Sequence, residues 1–129
     1  MLIGATDHWI AERDMKLAQV HAERPSRAKS FGGLTVAQRR YLLGWNEAAR
    51  ATGIDAVEDL ALRPWPDCDA ESIIGVFRSG HLLASWLIVG QGGTWAVAYC
   101  GDGTVSNSVP TLADALHLVC PVAPVLTPT

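Results

Sequence analysis

The run Leu82-Leu-Ala-Ser-Trp-Leu-Ile-Val89 is apolar at odd and even positions alike, interrupted only by Ser85. Successive side chains of a strand point to opposite faces, so a strand of this composition shows apolar groups to both sides and must be covered on both. The run is far too short to cross a bilayer as a helix, which takes roughly 20 apolar residues. The chain is therefore expected to build around a central strand with material packed above and below it. From Ser72 onward, β-branched and aromatic residues alternate with glycine-containing turns, the pattern of consecutive hairpins. The pattern predicts strands over 72–78, 82–90 and 94–100, with turns at Ser79-Gly80 and Gly90-Gln-Gly-Gly93. Thr104 to Ser106, after Gly101-Asp-Gly103, extends the meander by a short fourth strand.

Helices are predicted on either side of this sheet. A first helix runs over about 7–23, capped by Thr6 or Asp7, with Trp9, Ile10, Leu17, Ala18 and Val20 as a loose apolar face. Pro25 and the pair Gly32-Gly33 make the next stretch a linker. The second helix, 36–52, is the best marked: Thr35 and Gln38 form a capping box and Gly53 stands where a left-handed residue would close the end. Leu42, Trp45 and Ala49 recur on one face, with Tyr41 and Ala48 beside them, and Arg39, Asn46, Glu47 and Arg50 are expected outside or at the border. Gly44 inside this helix marks the close approach of another element. A short third helix, 56–62, follows from Asp55 as cap, Glu58 three residues on and Pro64 as the stop. Thr111 and Asp114 open a final helix over 111–119, and the proline-rich tail from Pro121 is expected to lie extended.

These elements give an α+β fold: N-terminal helices (about 7–23, 36–52 and 56–62), then a three- to four-stranded antiparallel meander (72–106), then a C-terminal helix (111–119). It is expected to form one domain over 1–129, with a helical part (1–63) and a sheet-plus-helix part (64–129). The final helix covers one face of the sheet, and the N-terminal helices, or a partner, cover the other.

Apolar residues make up 49% of the chain and charged residues 18%, too apolar and too weakly charged for disorder, so a packed core is expected. The opening residues lack a basic segment followed by a long apolar one, which points to a cytoplasmic protein. Cys68, Cys100 and Cys120 are odd in number and widely spaced, as buried reduced thiols are. His8, His21, His81 and His117 are scattered without an i, i+4 pair, so no metal site is expected. No cofactor is expected either, because the glycine-rich loops join strand to strand rather than strand to helix. The ingredients of nucleophilic catalysis are present in His81, Cys100 and Asp102, but no recognisable motif surrounds the cysteine, and the expectation is a non-enzyme.

Charge is unevenly divided. Residues 1–63 carry nine Lys/Arg against eight Asp/Glu, whereas residues 64–129 carry Arg78 alone against five acids. Arg24, Arg27, Lys29, Arg39 and Arg40 follow one another with no acid between them, a candidate nucleic-acid-binding segment over 24–40. The order of three strands and a helix, with Trp95 early in the third strand and Asp114-Ala115 in the helix, resembles the three-stranded DNA-binding domains of plant ethylene-response factors and integrase arms. Those sheets carry several Arg and Lys into the groove, whereas residues 72–106 offer only Arg78, so a DNA-reading sheet is not expected. Gly44-Trp-Asn-Glu-Ala48 after Gln38-Arg39 is similar to the helix of ribosome modulation factor, a pattern that amphipathic helices reproduce readily, and no family is assigned on it.

Five tryptophans remain, more than a core of this size readily absorbs. Trp9, Trp65 between its two prolines, and the nearby Asp67, Asp69 and Glu71 are the expected partner-binding residues. The expected function is a non-catalytic protein-binding accessory protein that occupies a surface of a larger protein or ribonucleoprotein complex. By analogy of size and acidity, that class includes phage- or plasmid-encoded inhibitors of host defence such as anti-CRISPR proteins. The alternative is a nucleic-acid-binding regulatory module using 24–40.

Overall fold

The computed structural model describes residues 31–60 and 70–125. The helix predicted over 7–23 and the acidic linker around Trp65 lie outside the described residues. The elements follow in the order α1 (Val36–Ala49), a single 3-10 turn (Arg50–Thr52), β1 (Ile54–Asp59), β2 (Ser72–Arg78), β3 (Trp86–Gln91), β4 (Thr94–Tyr99), β5 (Thr104–Val105) and α2 (Leu112–Val119). The α+β class with an antiparallel sheet is as expected. The sheet has five strands in sequential order rather than three or four.

The extra strand replaces a predicted helix. Residues Ile54–Asp59, where a helix over 56–62 was expected to begin, pair antiparallel with β2, Val57 opposite Val76 and Asp59 opposite Ile74, with a bulge between Ile54 and Ala56. The spacing of Asp55 and Glu58 imitates a helix cap, but Ile54 and Val57 are β-branched, and pairing with β2 outweighs the local signal. Glu58 is a buried strand residue, not a first-turn carboxylate in water. Residues 61 and 62 of that predicted helix are outside the described residues.

Both helices lie on one face of the sheet. Leu42, Trp45 and Ala49 of α1 and Leu112, Ala115 and Leu116 of α2 form one cluster with Val57, Ile74, Val76, Ile88 and Val97. The expectation that the second and final helices lie on opposite faces is therefore corrected. The opposite face is apolar and buried too: Ile73, Phe77, Leu87, Val89, Ala98 and Cys100 form a second cluster with Leu60 and Ala84. The central strands are thus covered on both sides, as the composition of Trp86 to Val89 requires.

The capping box at Thr35 forms as predicted: its side-chain oxygen accepts from Gln38 N–H at 3.0 Å, and Thr35 N–H donates to Gln38 Oε1 at 2.9 Å. Thr111 caps α2 through Asp114 N–H at 3.0 Å. The segment after α2 is bound to α1 at two points. Trp45 donates its indole N–H to the Cys120 carbonyl at 2.9 Å, and Val125 N–H donates to the Gly44 carbonyl at 2.9 Å. Asn46, expected at the border, is buried at 6% exposure, and among the described residues its Oδ1 accepts no hydrogen bond.

Gly90 pairs with Trp95 across β3 and β4. The indole ring lies over the glycine, so that a Cβ there would come within 2.6 to 2.9 Å of three ring carbons. Because Trp95 is itself buried, the ring has little room to move. Gly90→Ala is expected to destabilise the fold by about 1–3 kcal/mol through overpacking, read as a lower urea midpoint at unchanged slope. Trp45→Phe removes the indole hydrogen bond to the Cys120 carbonyl, which keeps the Val122 N–H as its donor at 2.9 Å, and leaves part of the buried indole volume unfilled, so it should cost about 1–3 kcal/mol in the same assay. An unchanged midpoint in either variant contradicts the packing described.

Candidate functional site

The residues expected to bind a partner are only partly within view. Trp9, Trp65, Asp67 and Asp69 lie outside the described residues, as do Arg24, Arg27 and Lys29 of the basic segment. Glu71 is exposed just ahead of β2, and its Oε1 accepts from Gly92 N–H at 3.3 Å. It lines a cleft of about 230 Å³ at the end of the sheet where both helices begin, together with Gln38, Trp95 and Thr111. Arg39 is half-buried and donates from its guanidinium to the Leu34 carbonyl at 3.0 Å, while Arg40 is exposed. Beside Arg40 the outer face of α1 carries exposed Val36 and Leu43 and the pair Arg50–Glu47, separated by 3.8 Å.

The opposite end of the sheet is built differently. Along the helix-covered face, burial is complete at Val76 and Ile88 and falls off at the next positions, Arg78, Trp86 and Tyr99, which are half-buried. Trp86 stands opposite Val76 on one side and Tyr99 on the other. Its ring meets that of Tyr99 at a centroid distance of 5.8 Å and a tilt of 45°. The Arg78 guanidinium lies 4.6 Å from the centre of the Trp86 ring and 5.9 Å from that of Tyr99. Three strands thus place a cation on two aromatic faces, an arrangement worth about 0.5–1 kcal/mol or more per contact where partly desolvated.

The connection between β2 and β3 is longer than the two-residue turn predicted at Ser79-Gly80. His81 N–H closes a turn onto the Arg78 carbonyl at 3.1 Å, and regular pairing resumes only when Ser85 N–H reaches the Val76 carbonyl at 2.8 Å. β3 therefore starts at Trp86, not at residue 82. Leu82 and Leu83, read as strand, stand out from the surface at 72% and 52% exposure. Apolarity alone does not separate a core strand from a loop that offers the same residues to something else.

Below this loop is an open cleft of about 220 Å³ lined by Arg78, His81, Leu83, Ser85, Tyr99 and Cys100, with Ala84 and Gly101. His81 and Cys100, the pair considered for nucleophilic chemistry, do meet at one cleft. Burial pushes the Cys100 thiol up to about 11, so that at neutral pH roughly one molecule in ten thousand carries a thiolate there. Asp102 is turned elsewhere: its Oδ1 accepts from Thr104 N–H at 3.0 Å and from Thr104 Oγ1 at 2.8 Å, which together hold its carboxyl below the usual range. Among the described residues no group of three or more His, Cys, Asp and Glu is placed to hold a metal ion. Among them, too, no helix is long and apolar enough to cross a membrane.

Sequence reasoning did not single out Arg78, Trp86, Tyr99, Leu82 or Leu83 as a site. The available signal was Arg78, the one cation after residue 63. Compared with protein-family models, curated proteins and solved structures, the chain matches none.

The buried thiol makes stability depend on alkaline pH. Because burial raises the thiol's pKa in the folded state, Cys100 favours that state fully below about pH 9, and the contribution is lost as pH rises from about 9 to about 11. Cys100→Ala removes this contribution while leaving the other alkaline titrations in place. The urea midpoint of the wild type is therefore expected to fall more steeply than that of the variant between pH 9 and 10.5, and parallel curves would contradict it. Iodoacetamide at pH 7 should label Cys100 slowly in the native protein.

Proposed function

We propose that this is a non-catalytic protein-binding module that docks on a larger partner through the β2–β3 end of its sheet. The observation that carries the reading is the exposure of Leu82 and Leu83 side by side on a loop next to the Arg78–Trp86–Tyr99 stack. Contiguous exposed apolar residues are uncommon on monomeric proteins, and Trp, Tyr and Arg are the residue types that dominate interface energetics. The loop is also held at both ends, by His81 N–H on the Arg78 carbonyl and by Cys100 N–H on the Ser85 carbonyl at 2.9 Å, so little ordering entropy is lost on docking. Inhibition of a host defence complex is the form of this function that fits a small accessory protein, and it rests on analogy.

The test is capture from lysate of the source organism by the wild type, by the double variant Leu82→Asp/Leu83→Asp and by Arg40→Ala on α1. Partner proteins retained by the wild type and by Arg40→Ala, but lost at least tenfold from the loop variant at unchanged melting temperature, support the proposal. Equal capture by the loop variant overturns it. Recovery of DNA or RNA that Arg40→Ala weakens favours the alternative reading on α1. A wild-type dimer that the loop variant dissociates to monomer assigns the loop to self-association and overturns a heterologous partner.

A further inference from the structure

We infer that the cleft beneath the β2–β3 loop is a carboxylate-binding subsite, which takes an Asp or Glu side chain of the partner while Leu82 and Leu83 enter an apolar part of its surface. The inference rests on the protein-binding reading for its occupant, but its chemistry stands on the cleft. Arg78 is the sole Lys or Arg in residues 64–129, among five acids, and yet among the described residues no ion pair engages it. Among the described residues its recorded side-chain contacts are the two aromatic faces. A guanidinium stacked on rings keeps its N–H donors at the edge of the plane, where a carboxylate accepts two of them at once.

Other features of the cleft agree. Ser85 is more than nine-tenths buried and lines the cleft, and among the described residues no hydrogen bond engages its hydroxyl, although its backbone N–H and carbonyl are both used. The oxygen keeps some contact with solvent, so the hydroxyl is open to an acceptor that enters the cleft. Among the described residues no acid lines the cleft, and the nearest along the chain, Asp102, is occupied by Thr104. Exposed His81 adds a third potential donor, and Leu83 and Ala84 supply an apolar wall against which a short methylene stem fits. The opening lies on the surface beside the exposed leucines, so a side chain projecting from a partner's surface reaches it more readily than a chain end. That geometry selects the side-chain carboxylate over a C-terminal one.

The experiment is a 15N–1H NMR titration of the full chain with sodium acetate, with sodium chloride at matched ionic strength as control, read at the Trp86 indole N–H and the Arg78 Nε–H. Saturable shifts at both groups are expected, with a dissociation constant on the order of hundreds of millimolar, as for a single exposed ion pair. Arg78→Gln should abolish them. Arg78→Lys, which keeps the charge but not the fork or the stack, and Ser85→Ala should each weaken binding about three- to tenfold, and they stand in if Arg78→Gln fails to fold. No saturable shift beyond the chloride control, or shifts that survive Arg78→Gln or remain unweakened in both Arg78→Lys and Ser85→Ala, overturns the site. Tighter binding of inorganic phosphate than of acetate overturns the carboxylate assignment. N-acetylglycine binding more tightly than N-acetylglutamate α-amide overturns the side-chain source. Acetate binding alongside undiminished partner capture by the loop variant would leave the subsite standing and remove the docking reading. Loss of capture without acetate binding would do the reverse.

Discussion

The structure depends on a sheet whose central strands are apolar on both faces. Val76 and Ile88 face α1 and α2, while Phe77 and Leu87 face away, and all four are almost wholly removed from water. At about 25 cal/mol per Å² of apolar surface buried, such strands are the main source of stability, and they leave no free face on which polar chemistry could sit. Exposed polar and aromatic groups are thereby displaced to the ends of the sheet. One end carries the start of both helices and Glu71. At the other, the sheet continues past the cover that the helices supply, and Arg78, Trp86 and Tyr99 emerge from it.

The two helices enforce this polarity. Both begin at the Glu71 end, where Gln38 and Thr111 line the same cleft, and both end near Cys120, whose carbonyl accepts from Trp45 and whose sulfur lies 3.6 Å from Thr52 Oγ1. They therefore run in the same direction across the sheet. Their partial negative ends lie toward the part of the sheet that carries Arg78, and their partial positive ends toward Glu71. Each charged residue thus sits at the end that suits its sign, although neither is in a helix.

What could be read from the sequence was what is local. A capping box needs only residues three apart, and both helix starts at Thr35 and Thr111 were legible for that reason. β1 was not, because Asp55 and Glu58 carry a local helix signal and the opposing information lies in β2, some twenty residues away. Leu82 and Leu83 were misread for a different reason: a core strand and a docking loop use the same apolar residues, and only the turn at His81 separates them. Arg78 was counted as a charge but not as a site, since the rings beneath it come from two other strands. The residues first chosen for partner binding, Glu71 aside, lie outside the described structure.

Places where sequence rules mislead in a well-packed protein tend to be places where stability has not decided the residue. Exposed leucines do nothing for this fold, and a loop of Ser, Gly, Asn or Asp would join β2 to β3 without the risk of association. The same holds for Arg78. A valine there would extend the apolar row begun by Ile74 and Val76, and among the described residues the cation meets only its two rings. The stack does more for recognition than for folding: it restricts the guanidinium to one orientation before any ligand arrives, so the entropy of fixing a long side chain is already spent in the free protein. An Arg so held, in a half of the chain that carries five acids and no other Lys or Arg, discriminates by geometry as well as by charge. A strongly basic surface would collect any polyanion, whereas a single oriented fork beside two leucines favours a surface that offers one carboxylate and an apolar patch together.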